Sequence, residues 1–408
     1  MMATVEWKPF KLDELGFVGR GKSRHRPRNE PSLYGGKYPF FQTGDIKAAN
    51  FHLTDYSQTY SDMGLAQSKL WQPGTLCITI AANIAETAIL GIPGCFPDSV
   101  VGFVADPDKA DVRFVKYYME ILKLQMQSAS RGTTQDNLSV DKLLTFDFLV
   151  PPLTTQRRIA SILSAYDELI ENNQRRIRRL EDMARSLYRE WFVYFRYPGH
   201  ESVPLVDSPL GPIPQGWEVR NVKDIANVTY GCALKSQSFN TDGNGLPVVR
   251  IRNIPTGASE TYSVEECDVK YQINNGHILV GMDGDFHMCI WSNGLALQNQ
   301  RVARFESQGE IGNYHLFLAL ERPIQEFNMA IVGTTVAHLG DMHIKTIPII
   351  WPTSALRERA KETLEPLSEQ IIVLKRQTAN LRRTRDLLLP RLLSGQVSLS
   401  EAVSEAIQ

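Results

Sequence analysis

Residues 131 to 138 read RGTTQDNL, and residues 332 to 339 read VGTTVAHL. Gly132, Thr133, Thr134 and Leu138 return as Gly333, Thr334, Thr335 and Leu339. The same shift, about 200 residues, carries Pro151 onto Pro352, Leu163 onto Leu364, Ile170 onto Ile371, Leu180 onto Leu381 and Leu187 onto Leu388. The chain is therefore a duplication. Upstream the offset grows by a few residues, as insertions in loops would make it: Trp7 matches Trp217, and YPFFQTGDI matches LPVVRIRNI. Each copy opens with short β-type runs such as TLCITIA, SVVGFVA, LPVVRIR and HILVGMD, separated by Gly, Asn and Asp turns. Each copy closes with a long helical pattern.

The first helix is expected after VPPLTT, where Pro151 and Pro152 end a strand and Thr154 or Thr155 can cap, and it should run to about Tyr197, where PGH stops it. Ile159, Leu163, Tyr166, Ile170, Asn173, Ile177, Leu180, Ala184, Leu187 and Trp191 alternate spacings of four and three, which is a heptad seam. The second copy offers Ala360, Leu364, Leu367, Ile371, Leu374, Thr378, Leu381, Arg385, Leu388 and Leu392. Pro366 is expected to kink or split this helix near its start, and Gly395 to stop it. Forty residues make a rod of roughly 60 Å. Two such helices in one chain predict an antiparallel coiled coil with a pseudo-twofold axis, the variable domains at its opposite ends. The alternative is that each helix packs on its own domain or mediates homodimerisation. Asn173 either fixes register in the seam or reaches solvent at its edge.

The fold class read from this pattern is α+β, with tandem domains at 1–152 and 215–351, helical regions at 153–198 and 352–408, and a linker at 199–214. The length, 408 residues, suits such a multidomain protein. No apolar run approaches the roughly 20 residues that span a bilayer. The start, MMATVEWKPF, lacks the pattern of a signal peptide, so a cytoplasmic location is expected. Five cysteines without a CxxC pair suggest neither a disulfide framework nor a zinc site. A net charge of −1 gives no global pull toward nucleic acid, so any such binding must come from local patches.

One such patch competes with a nucleotide site. Residues 16 to 23, GFVGRGKS, fit the P-loop pattern GxxxxGK[ST]. A P-loop needs an apolar strand before it and a helix beginning at the lysine, so that backbone N–H groups converge on phosphate. WKPFKLDEL before it is charged, and SRHRPRNEPSLYGG after it holds two prolines. The matching stretch of copy two, NVTYGCALKS, keeps Gly231 but loses the GKS. The motif reads better as a basic glycine-rich loop able to meet a phosphate backbone or a groove, with Arg20, Lys22, Arg24, Arg26, Arg28 and Lys37 against the single acid Glu30. A merely solvated loop is the other reading. Copy two offers Lys235, then Arg250, Arg252 and Asn253, and Arg301 and Arg304.

No catalytic set is visible. Asp283, Asp285 and His287 in MDGDFHM read as a tight Asp-Gly turn and not as a metal site. His338 and His343 lack a third ligand, and GxSxG, HExxH and a strand-led GxGxxG are absent.

Together, the GTT runs, PPLTTQRRIASILSAYDELIENNQRRIRRLEDMARSLYREWF, the lead-in GPIPQGW and the closing RDLLLPRLLSGQV resemble the specificity (S) subunit of type I restriction-modification systems, over essentially the whole chain. The resemblance implies a non-catalytic reader of double-stranded DNA. Each variable domain would read one half of a bipartite, asymmetric site, and the helices would set the gap; a 60 Å rod spans about 17 base pairs. It implies two methyltransferase subunits, which bring S-adenosylmethionine, and motor-nuclease subunits, which bring ATP and magnesium, with no cofactor in this chain. Arg175, Arg176, Arg178 and Arg179 would then offer a docking face. Two other readings remain: a P-loop NTPase and a structural coiled-coil scaffold.

Overall fold

The computed structural model describes residues 6–25, 27–49, 51–130, 137–330 and 338–395. Arg26, both Gly-Thr-Thr runs and the stretch after residue 395 lie outside the described residues. The chain divides into two compact units, one of Met1–Asn172 with Asn380–Gln408, the other of Asn173–Ala379.

The first unit is built on a five-stranded sheet in the order Gly16–Arg20, Val100–Ala105, Leu76–Thr79, Thr87–Leu90, His52–Leu53, antiparallel except for the last pair. LCIT and TAIL carry no polar face because both sides of the sheet are covered. Successive side chains go to opposite faces: Leu76 and Ile78 join the core beneath the helix Val112–Ser130, while Cys77 joins Phe41, Trp71 and Phe96 on the other side. Lys8–Phe10 pairs with Phe148–Val150 as a separate ribbon.

The second unit repeats this plan. Ala226–Tyr230, Val302–Ser307, Ile278–Gly281 and Met288–Ile290 follow the same strand order, Glu218–Asn221 pairs with Pro348–Trp351, and the helix Asn313–Ala330 takes the place of Val112–Ser130. Detail is kept at the end of each GTT run: the Leu138 N–H donates to the Ile80 carbonyl and the Leu339 N–H to the Met282 carbonyl, both at 2.8 Å. What differs is an added five-stranded sheet of short pieces, in the order Phe239–Asn240, Tyr262–Ser263, Leu246–Val249, Ala296–Gln298, Gln272–Ile273.

The long helices are Leu153–Tyr188, 36 residues, and Ser354–Leu393, 40 residues. The first starts two or three residues earlier than a cap at Thr154 or Thr155 would place it. The Pro152 carbonyl accepts from the N–H groups of Thr155 and Gln156 at 2.8 and 3.1 Å, so Thr154 and Thr155 lie inside the first turn. Its α geometry ends at Tyr188, short of Tyr197, and passes into a π-turn, Arg189–Val193, where Phe192 is buried against His315 and Trp217. Pro366 does not split the second helix. Its ring and Glu362, whose carbonyl loses a donor, are both exposed, so the unmade bond faces solvent, while buried Ala360 and Leu364 hold the helix on its inner side. Gly395 closes the helix at φ +70° and lies beside Trp7.

In the first unit Ile159 and Leu163 share a core with Leu388 and Leu392, and Ile170 is buried. In the second, Ile177 and Ala184 share one with Ala360, Leu364, Ile371 and Leu374, flanked by Leu180, Leu187 and Leu367. Tyr166 and Leu381 are half-buried. Asn173 and Thr378 are buried at 6% and 5% exposure, so Asn173 belongs to the seam and does not reach solvent at its edge. The helices run in opposite senses: Asp167 meets Arg385 within the first unit, and Glu181 meets Lys375 at 3.1 Å within the second. These cores also contain sheet and helix residues of each domain, so pairing and packing on the domain occur together.

Among the described residues no helix is long and apolar enough to cross a membrane.

Candidate nucleic-acid interface

The stretch expected as a loop is strand for its first five residues, Gly16–Arg20, paired antiparallel with Val100–Ala105. Beyond it no helix begins, and the amides that a P-loop would aim at phosphate are bonded within the protein. The Gly21 N–H donates to the Val100 carbonyl at 2.8 Å and the Lys22 N–H to the Phe96 carbonyl at 3.2 Å. The N–H groups of Arg24 and His25 share the Gln67 side-chain oxygen at 2.5 and 3.0 Å. Gly21 is glycine because a Cβ there would stand 2.2 Å from the Pro97 carbonyl oxygen. Gly231 is in the same position in the second copy, 2.1 Å from that of Asn299. The glycine shared by the copies thus serves close backbone approach, and the geometry excludes a nucleotide cradle.

Pinned in this way, the backbone presents Lys22 and Arg24 outward, both exposed. Among the described residues no carboxylate pairs with either. Beside them Lys69 sits 3.6 Å from the ring centroid of Trp71 and 4.7 Å from that of Phe17, a phenyl group 55% exposed. Partial burial, then the charge of Lys22, hold the Lys69 ammonium below the usual lysine range. An unneutralised cation cluster over exposed aromatic surface suits a polyanion better than water alone. Arg20 and Arg28 serve differently. Arg20 donates to the Asp98 backbone carbonyl and Arg28 pairs with the Asp98 carboxylate at 2.8 Å, lining a cleft of about 980 Å³ with Asn137, Ser139 and Asp141. Lys37, on the strand Tyr34–Phe40, is exposed and lies 3.9 Å from Asp62. Arg26 lies outside the described residues.

In the second unit Lys235 is exposed, its N–H held by the Glu265 carboxylate at 2.8 Å. Arg250, Arg252 and Asn253 share one turn, and Asn253 braces it, since its side-chain oxygen accepts from the Arg250 N–H at 3.0 Å. The Arg250 guanidinium reaches the Thr261 hydroxyl and lies over the Phe239 ring. Burial, then Arg252, lower its pKa from the ordinary arginine value. Arg252 is exposed. Arg304 donates to the Gln272 carbonyl and, at 3.4 Å, to the Thr229 hydroxyl, and burial lowers its pKa too. Among the described residues no carboxylate forms an ion pair with Arg250, Arg252 or Arg304, which leaves their charge available to an anion.

The histidines and acids near the Asp-Gly turn are tied to one another. His338 meets Asp283 at 2.6 Å, Arg301 meets the other oxygen at 3.3 Å, and Gly284 turns the chain at φ +72°. Among the described residues no three His, Cys, Asp or Glu side chains converge as metal ligands. Sequence reasoning missed Lys69 and Phe17: the fold brings the Lys69 ammonium over the Phe17 and Trp71 rings and within reach of the Lys22 charge. It also missed Asp98, the distant acid that engages Arg28. On the first long helix Arg175, Arg176, Arg178 and Arg179 are all exposed.

The type I restriction modification DNA specificity domain model matches the chain twice, over residues 4–182 and 214–383. The MjaIX type I restriction enzyme specificity subunit of Methanocaldococcus jannaschii is 23% identical over 418 residues, covering 97% of this chain and 94% of the relative. The EcoBI specificity subunit of Escherichia coli is 30% identical over 191 residues, covering 46% of this chain and 40% of the relative. The crystal structure of the type I restriction-modification S subunit from M. genitalium shares the fold, with a TM-score of 0.64 at 17% identity over 96% of this chain and 97% of the other.

Proposed function

The chain belongs to the type I restriction-modification DNA specificity family, and we propose that its two domains read unlike halves of one split DNA site whose gap the long helices set. It is the specificity subunit and carries no catalytic centre of its own. In this reading Lys22, Arg24 and Lys69 position the first domain on phosphates, with Arg20 and the cleft beside it toward the bases, and Lys37 at the margin. Lys235, Arg250, Arg252 and Arg304 do the corresponding work in the second domain, where Asn253 shapes the turn that presents Arg250 and Arg252. Phosphate contacts supply affinity and base-edge contacts supply choice.

The observation that carries the proposal is a repeated scaffold with unlike reading loops. Strand order, entry tryptophan and the Leu138 and Leu339 hydrogen bonds are kept, while Lys22 of one copy gives way to Cys232 in the other and only the second has the added sheet. One scaffold used twice with different loops suits an asymmetric site. The partners are two methyltransferase subunits, docked on the helices near Arg175–Arg179, and motor-nuclease subunits. S-adenosylmethionine, ATP and magnesium belong to those partners, and the assembly works in the cytoplasm. Methylating random-sequence DNA with the purified subunit and its methyltransferase tests this: two unlike motifs at a constant spacing support it, and a single continuous motif or none refutes it.

A further inference from the structure

Cys232 and Cys267 are 35 positions apart in sequence, yet their sulfurs lie 2.8 Å apart. Cys232 follows Gly231 on the loop that carries Lys235, and its N–H donates to the Gln298 carbonyl at 3.1 Å. Cys267 sits between Glu265, which holds the Lys235 N–H, and Asp268, whose carboxylate caps the turn Val269–Tyr271. Hydrogen bonds thus hold the backbone of Cys232 and the residues flanking Cys267. Both thiols are half-buried, so small molecules reach them. Cys289 is half-buried as they are, but among the described residues no second sulfur faces it at such a distance. Cys77 and Cys95 are buried in the first unit.

We propose that Cys232 and Cys267 form a reversible dithiol–disulfide site, closed by peroxides and opened by dithiols, that ties together two loops of the second recognition domain. The roughly 2.05 Å of a disulfide is less than 1 Å shorter than the present separation of the sulfurs, 2.8 Å. Burial, and after it the neighbouring thiol, raise the pKa of Cys232; the site closes by the same balance whichever sulfur attacks first, here taken as Cys267. As a thiolate, its sulfur forms an S–O bond with hydrogen peroxide as the O–O bond breaks, and the departing hydroxide becomes water. Cys232 then attacks the sulfenic acid, an S–S bond forms, the S–O bond breaks, and the hydroxyl leaves as water with the Cys232 proton. Two thiols and one peroxide give one disulfide and two waters: the sulfurs lose two electrons and the peroxide gains them. A dithiol reverses the bond by exchange. The tied loop occupies the place that the Lys22 loop holds in the first domain, where the position of Cys232 is taken by Lys22 and the nearby Cys95 is buried. Oxidation therefore marks one recognition domain and spares the other. This chemistry is independent of what the domain binds.

The test uses the full chain, reduced, exposed to hydrogen peroxide, then denatured, alkylated and weighed. Alkylated thiols should fall from five to three. Tryptic digestion should yield Asp224–Lys235 joined to Asn253–Lys270, lighter by two hydrogens than the separate peptides. Dithiothreitol should restore all five, and neither C232S nor C267S should give the joined peptide. Five alkylated thiols after peroxide, a bridge to Cys289, or persistence of the joined mass in C267S would overturn the assignment.

Discussion

Arg385 of the second long helix donates to the carboxylate of Asp167 on the first, whose side chain is 2% exposed, and the Tyr117 hydroxyl reaches the other carboxylate oxygen at 2.5 Å. An arginine at a heptad seam position thus has a specific partner, and a lone buried carboxylate would be left without it. R385M should destabilise the chain by about 3–5 kcal/mol, because an unpaired buried charge remains. R385M with D167L should recover most of that loss. Urea unfolding of both single variants and the double variant measures the coupling; additive losses would mean that the pair does not set the register.

Lys22 and Gly21 are adjacent but should fail differently. K22A should leave stability unchanged and lower the slope of log affinity against log salt by about 1, the loss of one phosphate contact. G21A should lower the melting temperature, since its Cβ meets the Pro97 carbonyl oxygen. Salt titrations of DNA binding by the methyltransferase complex, with thermal melts, separate the two. ATP binding abolished by K22A would revive the nucleotide reading.

His315 is buried, and burial, then the charge of Arg357, lower its pKa from 6.5 to about 4. The unfolded chain takes up a proton below about 6.5 that the folded chain refuses until near 4, so stability falls as pH drops through that window, by up to roughly 3 kcal/mol. H315L should flatten this loss while keeping the contact with Phe192. Urea midpoints at pH 7 and 4.5 check it; an unchanged pH dependence in the variant would assign the loss to other groups.

The duplication and the seam were legible because both are periodic. A shift repeated from Pro151 to Leu187 needs no knowledge of packing, and apolar spacing of three and four reports a helix face directly. Pro366 misled because a proline's cost depends on which side of the helix faces water, and that is set by tertiary packing. The π-turn at Arg189–Val193 likewise depends on the aromatic site that receives Phe192. Of the interface, the charges were visible in sequence, but their neutralisation was not: Asp98 engages Arg28 from 70 residues away, and Lys69 meets Lys22 only across the folded surface.

Replacing residues 1–150 with the matching domain of another specificity subunit should change one half of the methylated motif and leave the other half and the gap intact. Sequencing the methylated sites of the hybrid complex shows this; a change in both halves would mean that the domains do not read independently.

Above all, the helices are held to measure the distance between two independently read half-sites. The most direct measurement is the methylated motif of the complex before and after one heptad is deleted from each long helix. Seven residues shorten a helix by about 10 Å, so both half-sites should persist with a gap about three base pairs shorter. An unchanged gap, or altered half-sites at the original spacing, would contradict it.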